Sequence, residues 1–179
     1  MLAGKAEDGE SRGRTMRRER GDIWDCLRRG YHVVVPVNEG WNKEGRNVMG
    51  KGLAKDAKFR FPDCDLWLGD TQTKLFKSEP CIPIEDARWL MAYPFGPLIF
   101  FPTKPLNRER PWLSWANLSD LEMIRAFLHA FPAWAKTKGL ERIAFPLLGA
   151  GNGKLDPFVV ESLMASCLKD THFTLVTPI

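Results

Sequence analysis

The chain has 179 residues, 44% of them apolar, with 7 Trp and 11 Phe, which fits one well-packed domain and excludes wholesale disorder. Its net charge is +4, and half of that excess lies in the first twenty residues, where Lys5, Arg12, Arg14, Arg17, Arg18 and Arg20 face Glu7, Asp8, Glu10 and Glu19; the nearly balanced remainder does not call for a polyanion over its whole surface. Cys26, Cys64, Cys81 and Cys167 form no C-x-x-C pair, only three His are present, and no apolar run approaches a signal core or a span, so no metal and no membrane are expected, and a cytoplasmic protein with reduced thiols is.

Residues 1–18 read as a basic, solvated N-terminal tail, with an arm that holds a polyanion as the alternative. Residues 19–179 read as one domain. Its first strand is the β-branched run 31–37, followed by a polar loop over 38–47 and a helix over 52–61 that Pro62 stops. Residues 62–80 read as irregular, 81–84 and 88–93 as strands, and 97–101 as a buried strand. A loop over 106–115 leads to a helix capped by Ser119, with Glu122 completing a capping box and Leu121, Ile124, Leu128 and Phe131 forming its core face. A strand over 142–148, a helix over 157–168 opened by Asp156 and Pro157, and a strand over 173–176 complete the chain. This alternation predicts an α/β domain of three layers, α/β/α, around a mixed, largely parallel central sheet.

Two glycine-rich loops each join a strand to a helix. One is Asn47-Val48-Met49-Gly50-Lys51-Gly52-Leu53; the other is Pro146-Leu147-Leu148-Gly149-Ala150-Gly151-Asn152-Gly153. Glycine lets backbone N–H groups approach an anion at a helix start, so two such loops suggest a pyrophosphate held from two sides. Gly45 to Gly52 nearly matches a P-loop, but Gly52 stands where the metal-binding Ser or Thr belongs, which argues against nucleotide hydrolysis.

Five segments, in order and spacing, resemble a macrodomain: Gly21-Asp22-Ile23, Val35-Pro36-Val37-Asn38, Val48-Met49-Gly50-Lys51-Gly52-Leu53-Ala54, Phe101-Pro102-Thr103-Lys104 and Pro146-Leu147-Leu148-Gly149-Ala150-Gly151. The third and fourth resemble the DarG branch, antitoxins that remove ADP-ribose from thymidine in DNA. The resemblance covers roughly residues 20–179. It implies that Asp22 accepts from the adenine amino group and Ile23 lines the adenine pocket, that Asn38 binds the distal ribose, and that Val48, Met49 and Gly50 form one pyrophosphate loop. Gly149, Ala150, Gly151, Asn152 and Gly153 would form the other, and Lys104 would be the catalytic lysine. Read on residue chemistry alone, Asp22 fits a helix N-cap as well, Asn38 a turn, and Lys104 the surface end of a strand. Lys51 is expected to point to solvent.

Lys104 admits two roles. Pushed towards neutrality by Phe100, Phe101 and Pro105, its amine would attack the anomeric carbon of ADP-ribose or of its ring-opened form. Charged, it would steady the leaving group. Gly153 stands where the related glutamate-directed hydrolases carry Asp, which favours a nucleic-acid adduct as substrate. Ala150 replaces the usual DarG Cys, and Pro157 replaces a common Trp. In the loop after Lys104, Arg108, Arg110, Trp112 and Trp115 interleave cations with indoles, a pattern suited to single-stranded nucleic acid; the alternative is that the indoles pack the loop on the following helix.

The expected function is therefore an ADP-ribosyl hydrolase acting on a modified nucleobase, with ADP-ribose as ligand or product, no cofactor, ADP-ribosylated DNA as partner and an ADP-ribosyltransferase toxin as its opponent. The rivals are a non-catalytic ADP-ribose-binding module and an ADP-ribose 1″-phosphate phosphatase. Because the chain stops at Ile179, directly after the macrodomain, a stand-alone enzyme is expected.

Overall fold

The computed structural model describes residues 15–77 and 92–179. In chain order it contains β1 (Arg17–Arg20), α1 (Ile23–Arg28), β2 (His32–Asn38), α2 (Gly52–Arg60), α3 (Cys64–Lys77), β3 (Tyr93–Phe95), β4 (Leu98–Lys104), a 3-10 turn (Pro111–Ala116), α4 (Leu121–Thr137), β5 (Ile143–Phe145), α5 (Pro157–Cys167) and β6 (Phe173–Thr177). The sheet order is β1-β6-β5-β2-β4-β3, parallel throughout except for β3 against β4.

Strand alternation explains the three layers. Val33, Val35 and Val37 of β2, with Leu98 and Phe100 of β4, face the helices α1, α2 and α3, where Ile23, Trp24, Ala57, Cys64 and Leu68 meet them. Val34, Ile99 and Phe101 face α4 and α5, against Ile124, Leu128, Phe131, Val160 and Met164. A parallel sheet needs both faces covered because its strands are apolar on both sides. Phe131 anchors the second layer, its ring 5.1 Å from Phe145 and 6.0 Å from Phe101. Among the described residues, no helix is long and apolar enough to cross a membrane.

Several local expectations change. The stretch read as irregular holds α3: after Pro62, Asp63 takes a left-handed φ of 66° and turns the chain into a new helix. Cys64, Leu68 and Gln72 bury one stripe of it at i, i+4 spacing. Gly69 masks the helical signal, since glycine costs about 1 kcal/mol inside a helix. It is there because a Cβ would lie 2.2 Å from the Gly45 carbonyl oxygen and 2.7 Å from Asn47 N, where the loop after β2 crosses the helix.

Asp120 rather than Ser119 caps α4, its Oδ1 accepting from Glu122 N at 2.9 Å and Met123 N at 3.0 Å. The expected loop over 106–115 ends in the 3-10 turn, and the strand over 142–148 contracts to β5. Arg17 and Arg18, assigned to the tail, lie in β1, and Met16 beside them is buried. Residues 1–14, and the strands expected at 81–84 and over most of 88–93, lie outside the described residues.

Candidate functional site

The parallel strands end on one rim. In sheet order, β1 is followed there by Gly21-Asp22 and β5 by the second glycine loop, β2 ends in Asn38 and leads to the first loop, and β4 ends in Lys104. Strands sit ~4.8 Å apart, so the four spacings from β1 to β4 make a rim of roughly 19 Å. The carboxyl ends of such strands are where α/β folds hold ligands.

Asn38 and Lys104 face each other in the β2–β4 register, just past an irregularity between Val37 and Asn38. The Glu39 amide donates to the Lys104 carbonyl at 2.9 Å and locks the pair. Lys104 Nζ donates to the Trp115 carbonyl at 2.7 Å and lies 3.4 Å from the Asn152 carbonyl. Its amine thus bridges the 3-10 turn and the second loop. Burial first, then the ammonium groups of Lys154 and Lys51, hold its pKa below the ordinary lysine value. Three cations gathered at one end of the rim make a place for an anion, and neutral amine becomes accessible at lower pH.

The first loop is held from within. Asn47, only 1% exposed, points Nδ2 at the Asn38 and Gly40 carbonyls and at Gln72 Oε1, each within 3.0 Å. Its own amide donates to the Asp65 carbonyl, and Asp65, buried in α3, pairs with Arg46 at 2.9 Å and Lys58 at 3.0 Å. Asn38 Nδ2 donates to the Val48 carbonyl at 2.9 Å, while its Oδ1 is buried with no partner among the described residues. That leaves one acceptor for a hydroxyl donor. Nothing in the sequence distinguished Asn47 from the other polar loop residues.

The second loop rests on Ser119. A Cβ on Gly149 would lie 2.8 Å from Ser119 Cβ, and one on Gly153 would lie 2.0 Å from Ser119 Oγ. Gly149 also has a left-handed φ of 72°. The Ser119 amide donates to the Gly153 carbonyl at 3.2 Å, so the residue read as a helix cap is the floor of the loop. Gly50 and Gly151 differ: a Cβ on either meets nothing within 4 Å among the described residues. Their missing side chains leave open space on the rim. The two loops meet where a Cβ on Gly52 would lie 3.0 Å from Asn152 Nδ2.

The other expected residues are more spread out. Asp22 is exposed and caps α1, its Oδ1 accepting from Trp24 N at 3.0 Å. Ile23 is buried in the core beside Trp24. Met49 is buried and Val48 half-buried, while Arg108 and Arg110 are exposed. Trp112 and Trp115 are 43% and 45% exposed, so each indole keeps an open face.

No family model matches the chain. The chain is 31% identical, over 134 residues and 68% of its length, to a DNA ADP-ribosyl transferase-DNA ADP-ribosyl glycohydrolase fusion protein of Thermosipho africanus, and spans about a third (32%) of that protein. Its structure is similar to the macrodomain of Mycobacterium tuberculosis DarG, with a TM-score of 0.66 and 25% identity, covering 93% of this chain and 99% of the other. It also shares the fold of Thermosipho africanus DarTG in complex with ADP-ribose, with a TM-score of 0.65 and 22% identity, covering 93% of this chain and 43% of that one. This chain is a DarG-like macrodomain.

Within this DarG-like macrodomain, Asp156 caps α5 through Phe158 N at 2.8 Å with Pro157 in its first turn, so the helix start is sound without the common Trp. Behind the rim lies a buried acid that the sequence did not flag. Glu39, 3% exposed, accepts from the Tyr93 hydroxyl at 3.0 Å and from Gln72 Nε2 at 2.9 Å. Burial pushes its carboxyl up to about 8 against these donors. The unfolded chain releases this proton at a lower pH, so stability from Glu39 is full below about 4.5, is lost as pH rises, and is gone above about 8. Glu39→Gln should therefore match wild type near pH 5 and exceed it by several degrees in Tm at pH 8.5, where ~1 kcal/mol corresponds to roughly 2–4 °C. Parallel melting curves across this range would contradict the assignment.

Proposed function

We propose that this macrodomain hydrolyses the bond between ADP-ribose and a modified nucleobase, thymidine in single-stranded DNA, and so opposes an ADP-ribosyltransferase. The observation that carries the reading is the position of Lys104: opposite Asn38 in register, tied to Trp115 and Asn152, with its pKa lowered.

On this reading ADP-ribose lies along the rim. Adenine sits by Asp22 and Ile23, with Asp22 Oδ2 accepting from the amino group while Oδ1 caps α1. The pyrophosphate lies between Val48, Met49 and Gly50 on one side and Gly149, Ala150, Gly151, Asn152 and Gly153 on the other, near the cations Lys51 and Lys154. The distal ribose donates to Asn38 Oδ1, which brings its anomeric carbon to Lys104. The order of these groups along the sheet repeats the order of the parts of an extended nucleotide sugar.

In the reaction the carbon–nitrogen bond to the base breaks. The base keeps the bonding electrons and takes up a proton, and water supplies the new hydroxyl on the sugar. The lowered pKa supports Lys104 as the neutral nucleophile whose carbon–nitrogen adduct water then resolves. Arg108, Arg110, Trp112 and Trp115 follow Lys104 in the chain and, on this reading, would grip the DNA on either side of the modified base. A physical reason also favours a nucleic-acid adduct: no side chain fits at Gly153 above Ser119, so the loop carries no carboxylate at that position.

The test presents wild type with an ADP-ribosylated single-stranded oligonucleotide and, separately, with ADP-ribosyl-glutamate protein. Release of ADP-ribose from the oligonucleotide in preference is expected. Tight ADP-ribose binding without release from either would select the binding module instead.

A further inference from the structure

The 3-10 turn has a second face. Trp115 holds Lys104 through its carbonyl, and one turn earlier Pro111 and Trp112 form a wall of a separate cleft of about 300 Å³. The opposite wall comes from the loop after β2 and the end of α3, with Trp41, Lys43, Thr73 and Lys77. The cleft adjoins the site: a Cβ on Gly40, two residues after Asn38, would lie 2.3 Å from the Pro111 carbonyl oxygen. The turn is therefore seated on the chain that carries the candidate ribose contact.

The chemistry of this cleft is specific. Trp41 is braced by Phe76, with ring centroids 6.3 Å apart and planes 30° from parallel, and Lys77 Nζ stands 5.9 Å from the Trp41 ring. Trp112 is exposed, and among the described residues no ring packs on it. Residues three apart eclipse on a 3-10 helix, so Trp112 and Trp115 form a row with a step of about 6 Å. Among the described residues, no carboxylate lines the cleft and the buried Thr73 Oγ1 has no partner. Flat faces, two ammonium groups and a spare hydroxyl suit a base and its phosphates. The carboxylates of an acidic peptide would satisfy the cations but leave the indole without a ring, and a duplex keeps its base faces covered.

We infer that this cleft is a subsite for a neighbouring base of the same single strand, stacked on Trp112 beside Trp41, with its phosphates met by Lys43 and Lys77. The inference rests on the nucleobase-adduct reading and gives that reading a strand path from Lys104 through Trp115 to Trp112.

The test compares wild type, Trp112→Ala and the double variant Lys43→Gln/Lys77→Gln. Substrates are a single-stranded oligonucleotide bearing one ADP-ribosylated thymidine and the same adduct as a lone nucleoside. For Trp112→Ala, the ratio of oligonucleotide to nucleoside kcat/KM should fall about tenfold, the scale of one lost base–aromatic stack. For the double variant, the slope of log affinity against log salt for an unmodified, dye-labelled oligonucleotide should shrink by about 1.4, or ~0.7 per phosphate contact. An unchanged ratio together with an unchanged slope would overturn the subsite. Failure of wild type to process either adduct would instead overturn the reaction, while anisotropy of the unmodified oligonucleotide would still report on the cleft.

Discussion

Lys104→Ala should reduce release of ADP-ribose from a DNA adduct by about 10³-fold or more, the scale expected when a reacting or charge-stabilising group is removed. Free ADP-ribose should still bind within about fivefold of wild type, because the amine touches only the far end of the ligand while the loops hold the pyrophosphate. Lys104→Arg separates the two roles. Arginine keeps the charge but stays protonated throughout the working range, so an inactive Arg variant supports the nucleophile and an active one supports electrostatic assistance. The pH profile adds a sign. Lys154 depresses the Lys104 pKa by repulsion, so Lys154→Gln should raise it. If neutral amine is the reacting form, the alkaline rise in rate moves to higher pH in that variant. An unmoved profile would detach Lys104 from the rate.

Glycines within one loop should give opposite results. Gly151→Val places a side chain in open space, at a backbone angle other residues adopt. Its Tm should stay within about 2 °C of wild type, since substitutions away from packed features rarely exceed about 0.5 kcal/mol, while ADP-ribose affinity falls by about 10²-fold because the branched chain occupies the ligand's space. Gly153→Ala should do the reverse first: its Cβ would lie 2.0 Å from Ser119 Oγ and 2.4 Å from the Gly149 carbonyl oxygen. Overpacking of this kind costs about 1–3 kcal/mol. Ser119→Gly should recover part of that loss in the double variant, a coupling that thermal melts can read. Equal stability and equal binding loss in both single variants would mean that Ser119 is not the floor.

Strand identity was legible because β-branched runs such as Val33–Val34–Val35 and the Leu98–Phe101 stretch sit in a sheet buried on both faces. The two glycine loops and Lys104 were legible through motif order, and the fold places them on one rim. α3 was not, because Gly69 and Pro62 carry breaker signals whose real causes are a crossing loop and a sharp turn at Asp63. Ser119 and Asp120 are both good caps, and local sequence does not reveal that the serine is wedged under Gly149 and Gly153. The Glu39, Gln72, Tyr93 and Asn47 network is assembled from residues far apart in the chain, so no local pattern announces it. Asp22 caps α1 through one oxygen, as its residue type allowed, and the proposed adenine contact would fall to the other.

The central claim is that the rim from Asp22 to Lys104 holds ADP-ribose between the two glycine loops. Equilibrium dialysis of labelled ADP-ribose against wild type and Gly151→Val tests it most directly. One saturable site per chain that is lost in the variant, with its melting curve intact, is the predicted result. No saturable binding to wild type, or undiminished binding to Gly151→Val, would contradict it.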